Sequence, residues 1–261
     1  MTLQTNNKHT TTSYKRLSVQ ISLTGLSFFV EDIATRTLLF SAEESFDGTR
    51  SPEEVLETIQ HYFRKQEALQ EPFENVVLIY NTPLYTLIPK ALFDREKASE
   101  YLKFNAKILP NDYIAVDEVS IHESVVVYVP YINVNNHFFE KFGSFSYYHG
   151  ITVVLTQCVK EERHDSGAKV IVKLMPASFD MLVFQQGALQ LCNTYTYQTP
   201  EDFLYYLLFA MEQLSLNPDS VPIEIIADID ETDERYALAY AFIRNISIRS
   251  MATYQLAHTI A

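Results

Sequence analysis

One arrangement of residues occurs twice in this chain, and it limits the possible folds more than any other feature. In its first occurrence Leu17, Val19, Ile21 and Leu23 alternate with Ser18, Gln20 and Ser22, the period of a strand with one buried face. A tight turn at Thr24-Gly25 leads to a second strand, LSFFVED, and a turn over 33–36 to a third, TLLFS. Ser51-Pro52-Glu53-Glu54 then opens a helix. Serine is the N-cap, proline takes the first helical position where a missing N–H costs nothing, and Glu54 closes a capping box. Val55, Leu56, Ile59 and Phe63 share one helical face, and the apolar strand VVLIY (76–80) follows.

The second occurrence keeps the order. VIVKLM (170–175) is a strand and Pro176-Ala177-Ser178 a turn, after which FDMLVFQ and ALQLCNT pair about Gln186-Gly187. Thr199-Pro200-Glu201-Asp202 opens a helix with the same kind of cap, the same proline and an acid at the same place, and PIEII is again a strand. The first strands, at Leu17 and Val170, stand 153 residues apart and the caps, Ser51 and Thr199, 148. Matching order over four strands and a cap predicts an α/β protein of two β-β-β-α-β halves. The first half takes 14–149 after a disordered lead-in over 1–13, a connecting helix and linker take 150–168, and the second half takes 169–261. Between the copies lie an amphipathic segment (89–105), two strands (113–119 and 124–129) and a helix (135–142). The β-branched content of 150–163 favours a strand. Yet Ile151, Val154, Leu155, Cys158 and Val159 fall at i, i+3, i+4, i+7 and i+8, and that period predicts a helix.

A duplicated β-β-β-α-β unit, with a helix handing the chain into the second copy, resembles the actin-like ATPase superfamily, which is built of two ribonuclease H-like halves. More narrowly, YQTPEDFLYYLLFAMEQLSLNP (197–218) and the preceding FDMLVFQQGALQLCNTY resemble an uncharacterised bacterial family of unknown function with that fold. The resemblance spans about 14–248 and implies two lobes facing each other across a cleft. In that superfamily the turn joining the first two strands of each half holds phosphate. It needs an Asp at the strand end to position Mg²⁺ and glycines that let backbone N–H groups approach the phosphate oxygens. The positions concerned are Ser22, Thr24 and Gly25 in the first half and Ala177 and Ser178 in the second. The first turn has no acid and one glycine. In the second, Pro176 removes a donor, no glycine exists, and Asp180 lies past the turn, inside the strand. The adenosine-holding loop, Gly-rich in that superfamily, corresponds here to Ala227-Asp228-Ile229-Asp230-Glu231, which is acidic and would repel triphosphate. These positions read as vestigial, and no cofactor is expected.

Other chemistry is scarce. The chain has 20 basic and 33 acidic residues, a net charge of −13, so no nucleic acid or anionic lipid is expected as partner. Its longest purely apolar run, 203–211, has nine residues, where a membrane-spanning helix needs about 20. No membrane insertion is expected, and a cytoplasmic location is. A two-metal nuclease of this fold needs a carboxylate on the first strand of a half, and neither first strand carries one. The seven histidines never fall at HxH or HxxxH spacing, so no metal site is expected. The run Asp228, Asp230, Glu231, Asp233, Glu234 reads as favourable charge at the start of the helix RYALAYAFIR. Cys158 and Cys192 read as buried free thiols, and no nucleophile motif occurs.

Aromatic residues supply the one positive signal, with six between 138 and 148. Phe138, Phe139 and Phe142 suit the core face of a helix. Phe145, Tyr147 and Tyr148, read as a loop between two helices, are candidates for contact with an unidentified protein partner or a second copy. The helix containing Phe203 to Phe209, apolar all round, is expected to be buried on both sides, between the lobes or at a dimer contact. The chain is expected to be a non-catalytic cytoplasmic actin-like module acting through protein–protein interaction. The alternative is a divergent ATP-binding enzyme whose phosphate loops have been rebuilt.

Overall fold

The computed structural model describes residues 14–104 and 106–250; the expected lead-in over 1–13 lies outside them. The first half opens with β1 (Lys15–Ile21), β2 (Gly25–Asp32) and β3 (Thr37–Ser45), an antiparallel meander, followed by α1 (Pro52–Lys65) and β4 (Asn75–Tyr80). Gly25 is required at the first turn because a Cβ there would stand 2.8 Å from the Glu44 carbonyl oxygen of β3. Strand β4 returns parallel to β1, placing Tyr80 beside Ile21. A small insertion follows: β5 (Tyr85–Pro89), two 3₁₀ turns, the one-and-a-half-turn helix α2 (Ala98–Lys103), β6 (Ala115–Val119) and β7 (Ser124–Tyr128). Its three strands form a separate sheet in the order β5-β7-β6. The chain then returns through α3 (Ile132–Phe142) to β8 (Ser146–His149), which pairs in parallel with β4 and completes the sheet β3-β2-β1-β4-β8.

Helix α4 (Gly150–Glu162) joins the halves. The second half repeats the plan with β9 (Ala168–Leu174), β10 (Ser178–Gln185), β11 (Ala188–Thr196), α5 (Pro200–Gln213), β12 (Ile223–Ile226), α6 (Glu234–Tyr240) and β13 (Ile246–Arg249). Its sheet, β11-β10-β9-β12-β13, has the strand order and directions of the first. Both predicted capping boxes are formed: Ser51 and Thr199 each accept from the third helical N–H, and Glu54 and Asp202 reach back to the cap backbone.

The core has a shared and a private part. Side chains of β1, β2 and β4 pack with Ile151, Val154, Leu155 and Cys158 of α4 and, across it, with Ile171, Leu182, Phe184 and Ile226 of the second sheet. The outer face of that sheet, with Val170, Val172, Phe179 and Met181, packs beneath α5 and α6. Strands β9 and β10 are therefore covered on both sides, which is why VIVKL and FDMLVF show no polar alternation.

Four expectations are corrected or narrowed. The segment read as a loop from Phe145 to Tyr148 becomes strand β8 from Ser146 onward, with its three rings half-buried. Phe138 is fully buried and Phe142 half-buried, but Phe139 projects from the opposite side of α3. Helix α5 is not buried between the lobes, since within the chain Tyr205 and Phe209 are exposed. Of the predicted amphipathic segment 89–105 only Ala98–Lys103 is α-helical.

Candidate functional site

Because β1 and β9 run the same way in equivalent sheets, the turns that follow them meet at one end of the molecule. Ser22, Thr24, Gly25 and Ser178, with Gln20 and Ser27, line a cleft of about 470 Å³ between the halves. Ala177 and Ser178 reach an adjoining cavity of about 190 Å³, lined also by Asn81, His149, Asp180 and Thr194. All five phosphate-turn positions thus line the cleft or the cavity that adjoins it.

The chemistry of that space is not that of a phosphate cradle. In the first turn Thr24 N–H donates to Ser22 Oγ (3.2 Å), and Ser22 Oγ donates to the Gly25 carbonyl (3.0 Å). In the second, Met175 N–H donates to the Ser178 carbonyl (2.9 Å), and Pro176 has no N–H. Tyr197 fastens this turn from behind, its hydroxyl donating to the Met175 carbonyl (2.5 Å) and its N–H to that of Ala177 (3.1 Å). The Ser22, Thr24 and Met175 amides are thus taken up within their own turns, and Pro176 offers none, whereas a phosphate nest needs successive N–H groups turned outward.

Charge at the floor is already matched. Lys173 on β9 sits opposite Asp180 on β10, where the first half has Gln20 opposite Ser27. Lys173 Nζ donates to Asn81 Oδ1 (2.7 Å), a bond from the second half to the first. Burial lowers the Lys173 pKa, against the pull of Asp180; burial likewise raises that of Asp180, against Lys173 and the Thr194 hydroxyl at 2.6 Å. Gly150 lets this happen, because a Cβ there would collide with Asn81 Oδ1 and stand 3.0 Å from Lys173 Nζ. At the rim, Glu43 and Glu44 of β3 face Asp228 and Arg235. Burial, then the Asp228 charge, raises the Glu43 pKa. Arg235 is held by both Asp233 oxygens (2.9 and 2.6 Å) and by Tyr197 OH (2.6 Å). The residues present do not fit Mg²⁺ and a triphosphate: no carboxylate stands at either strand end, both cations are engaged, and the remaining rim charge is negative.

A second polar knot lies where α4 begins. Asp117 of β6 accepts from His149 N–H (2.7 Å), Thr152 Oγ (2.7 Å) and Tyr128 OH (3.2 Å). Burial nevertheless pushes its pKa up to about 6. The imidazole of His149 caps α4 through Nδ1, which accepts from Ile151 N–H (3.1 Å), and its Nε2 lies 2.9 Å from the Thr82 carbonyl. Burial lowers its pKa to about 3, so the ring is neutral with the proton on Nε2. Among the described residues no group of three His, Cys, Asp or Glu is placed to hold a metal ion. Asp233 of the acidic run caps α6. Cys158 is buried as expected and Cys192 half-buried, and burial pushes the Cys192 pKa well above the thiol range.

The aromatic candidates part company. Phe145 and Tyr147, with ring centroids 5.9 Å apart, line an open groove of about 460 Å³ with Tyr113, Ile132 and Phe139. Tyr113 and Tyr147 join their hydroxyls at 3.2 Å across it. Tyr148 falls on the other face of β8, as strand alternation requires. Lys173, Asn81, Asp117 and His149 escaped the sequence reading. Their bonds span 92, 32 and 67 residues, and no local motif marks such pairs.

No helix among the described residues is long and apolar enough to cross a membrane. No curated protein matches the sequence. Among solved structures, a Bacteroides thetaiotaomicron protein with actin-like ATPase fold and unknown function superposes with a TM-score of 0.78 at 20% identity, over 91% of each chain. The PilM-PilN type IV pilus biogenesis complex gives 0.56 at 10% identity, over 92% of this chain and 89% of that one. The fold is therefore α/β and actin-like, with two mixed sheets of β-β-β-α-β type. The model of a family described as "Protein of unknown function (DUF3822)" matches residues 4–246, and the chain belongs to that family.

Proposed function

We propose that this protein is a non-catalytic, cytoplasmic actin-like module that works by holding another protein. The observation that carries the reading is the cleft. Its turns close on themselves, its lysine is bonded to Asn81 and faces Asp180, and its rim is acidic. Catalysis on a bound nucleotide would need fixed donors aimed at phosphate oxygens. The groove formed by Phe139, Phe145 and Tyr147 supports a protein contact, since it offers large rings on α3, on β8 and on the short link between them. A solved structure of like fold is named for a complex, PilM-PilN, which is in keeping with such a role. Two cysteines outside any disulfide fit a reducing compartment.

Thermal unfolding with and without millimolar Mg·ATP tests the reading. A ligand at about 100 times its Kd stabilises the native state by about 2.7 kcal/mol, a shift of several degrees at this size. No shift is expected. A saturable shift that weakens when Thr24 or Ser178 is replaced would overturn the proposal in favour of an ATP-binding enzyme with rebuilt loops.

A further inference from the structure

Helices α5 and α6 pack side by side over the outer face of the second sheet. Their solvent side is unusually aromatic. Tyr205 and Phe209, one turn apart on α5, are 61% and 45% exposed and stack on each other with centroids 5.9 Å apart. On α6 and just past it, Tyr240 and Phe242 are 62% and 56% exposed, and Tyr240 stacks on Tyr236 at 6.0 Å. Rings that stack on one another while facing water are pre-ordered, so covering them loses little side-chain entropy. Tyr205 and Phe209 on α5, and Tyr240 and Phe242 at the end of α6, thus leave apolar ring surface facing solvent on two helices that pack on each other, and such exposed apolar area marks contact sites.

The surrounding charge says what kind of contact. Residues 164–250 carry twelve acidic and five basic side chains. Lys173 is buried, Lys169, Arg235 and Arg249 are in ion pairs, and Arg244 is the one exposed basic residue among them. Exposed Glu201, Glu212, Glu231 and Glu234 lie on or beside the two helices. A second copy would bring the same acidic border and a net charge of −13, and an anionic membrane would be repelled.

We propose that Tyr205, Phe209, Tyr240 and Phe242 together form a ridge that docks a segment of another protein, one presenting apolar side chains at helical spacing flanked by lysine or arginine. The apolar side chains seat on the rings, and the flanking cations meet the glutamates, supplying on-rate and orientation. The ridge belongs to the second half and shares no residue with the groove of α3 and β8, so a module with both surfaces has two sides on which to hold partners.

The test uses the full chain and two synthetic peptides of about 20 residues, long enough to form a helix on a surface. Each carries Leu and Phe at i, i+3, i+4 and i+7, one with Lys at the flanking positions and the other with Glu. Binding is read by fluorescence anisotropy at low and high salt. The Lys peptide is expected to bind, the Glu peptide at least tenfold more weakly, and added salt to narrow the gap. Phe209→Ser with Tyr240→Ser should weaken the Lys peptide at least tenfold, whereas Leu92→Ser with Phe104→Ser, exposed apolar residues of the insertion, should not. If the paired ridge variant does not fold, Tyr205→Gln alone serves the same comparison. Equal binding of the two peptides, or equal loss in both variant pairs, would overturn the proposal. So would a dimer in sedimentation, or adsorption to anionic vesicles, that disappears with the ridge.

Discussion

Asp117 and His149 touch through a backbone N–H, yet they titrate in opposite senses. The Asp117 pKa is raised from 3.8 to about 6, so between those values the folded state keeps a proton that the unfolded chain has lost. Its contribution is fully present below 3.8 and disappears as pH rises through 6. The His149 pKa is lowered from 6.5 to about 3, so its contribution is present above 6.5 and lost as pH falls toward 3. Each acts with a slope of up to about 1.4 kcal/mol per pH unit, and from pH 4 to 6 the two oppose. Urea midpoints measured across that range are expected to change little in the unaltered protein. Asp117→Asn should make stability rise more steeply with pH, and His149→Gln should make it fall. Slopes that do not move apart in the two variants would show that these groups do not set the pH response. Neither residue announces itself in the sequence, because DEV and YHG are ordinary tripeptides. Their environment is assembled by β6, β7 and α4 from distant parts of the chain.

At the scale of elements, the most legible features were those whose physics is local. Both capping boxes follow from four residues each, and both are formed. Replacing Ser51 by Ala, or Thr199 by Ala, should each cost about 1 kcal/mol. The caps lie in different halves, so the double variant should cost about twice as much in chemical denaturation; a clear departure from additivity would mean that the two helix starts are coupled. Helix α4 was legible too, since its apolar spacing outweighs its β-branched content. Strand β8 was not. Four residues, SYYH, are too few to display alternation, and their partner β4 lies across the whole insertion. Strands β5 and β13 are similarly short. For α5, an apolar composition all round did not mean burial all round. Tyr205 and Phe209 face water, because Phe203, Leu204, Leu207, Ala210 and Met211 take the face that packs on the second sheet. The phosphate-turn positions could be placed at one end of the molecule because repeated order fixes where equivalent turns lie. What fills the cleft there, Lys173 on Asn81, depends on a contact between halves that no repeat encodes.

The whole molecule is held together by a shared centre. Leu155 and Val154 of α4 pack with both sheets. Lys169 pairs with Glu162 and Glu224, and Arg249 with Glu224 and Glu161, tying α4 to β9, β12 and β13. Leu155→Ala should therefore cost about 2–5 kcal/mol and destabilise both halves alike. Probes placed in each half should report a single coincident unfolding transition before and after the change. Two separated transitions would show that the halves are independent units. The same bonds have a temporal meaning. In a protein whose jaws open and shut on nucleotide, each turnover sets a clock for grasping and releasing. Here Lys173 to Asn81 and Thr194 to Tyr85 fasten one jaw to the other from inside. On the proposed reading, a module fastened in this way keeps no time of its own, and its associations last as long as the abundance and residence of its partners dictate.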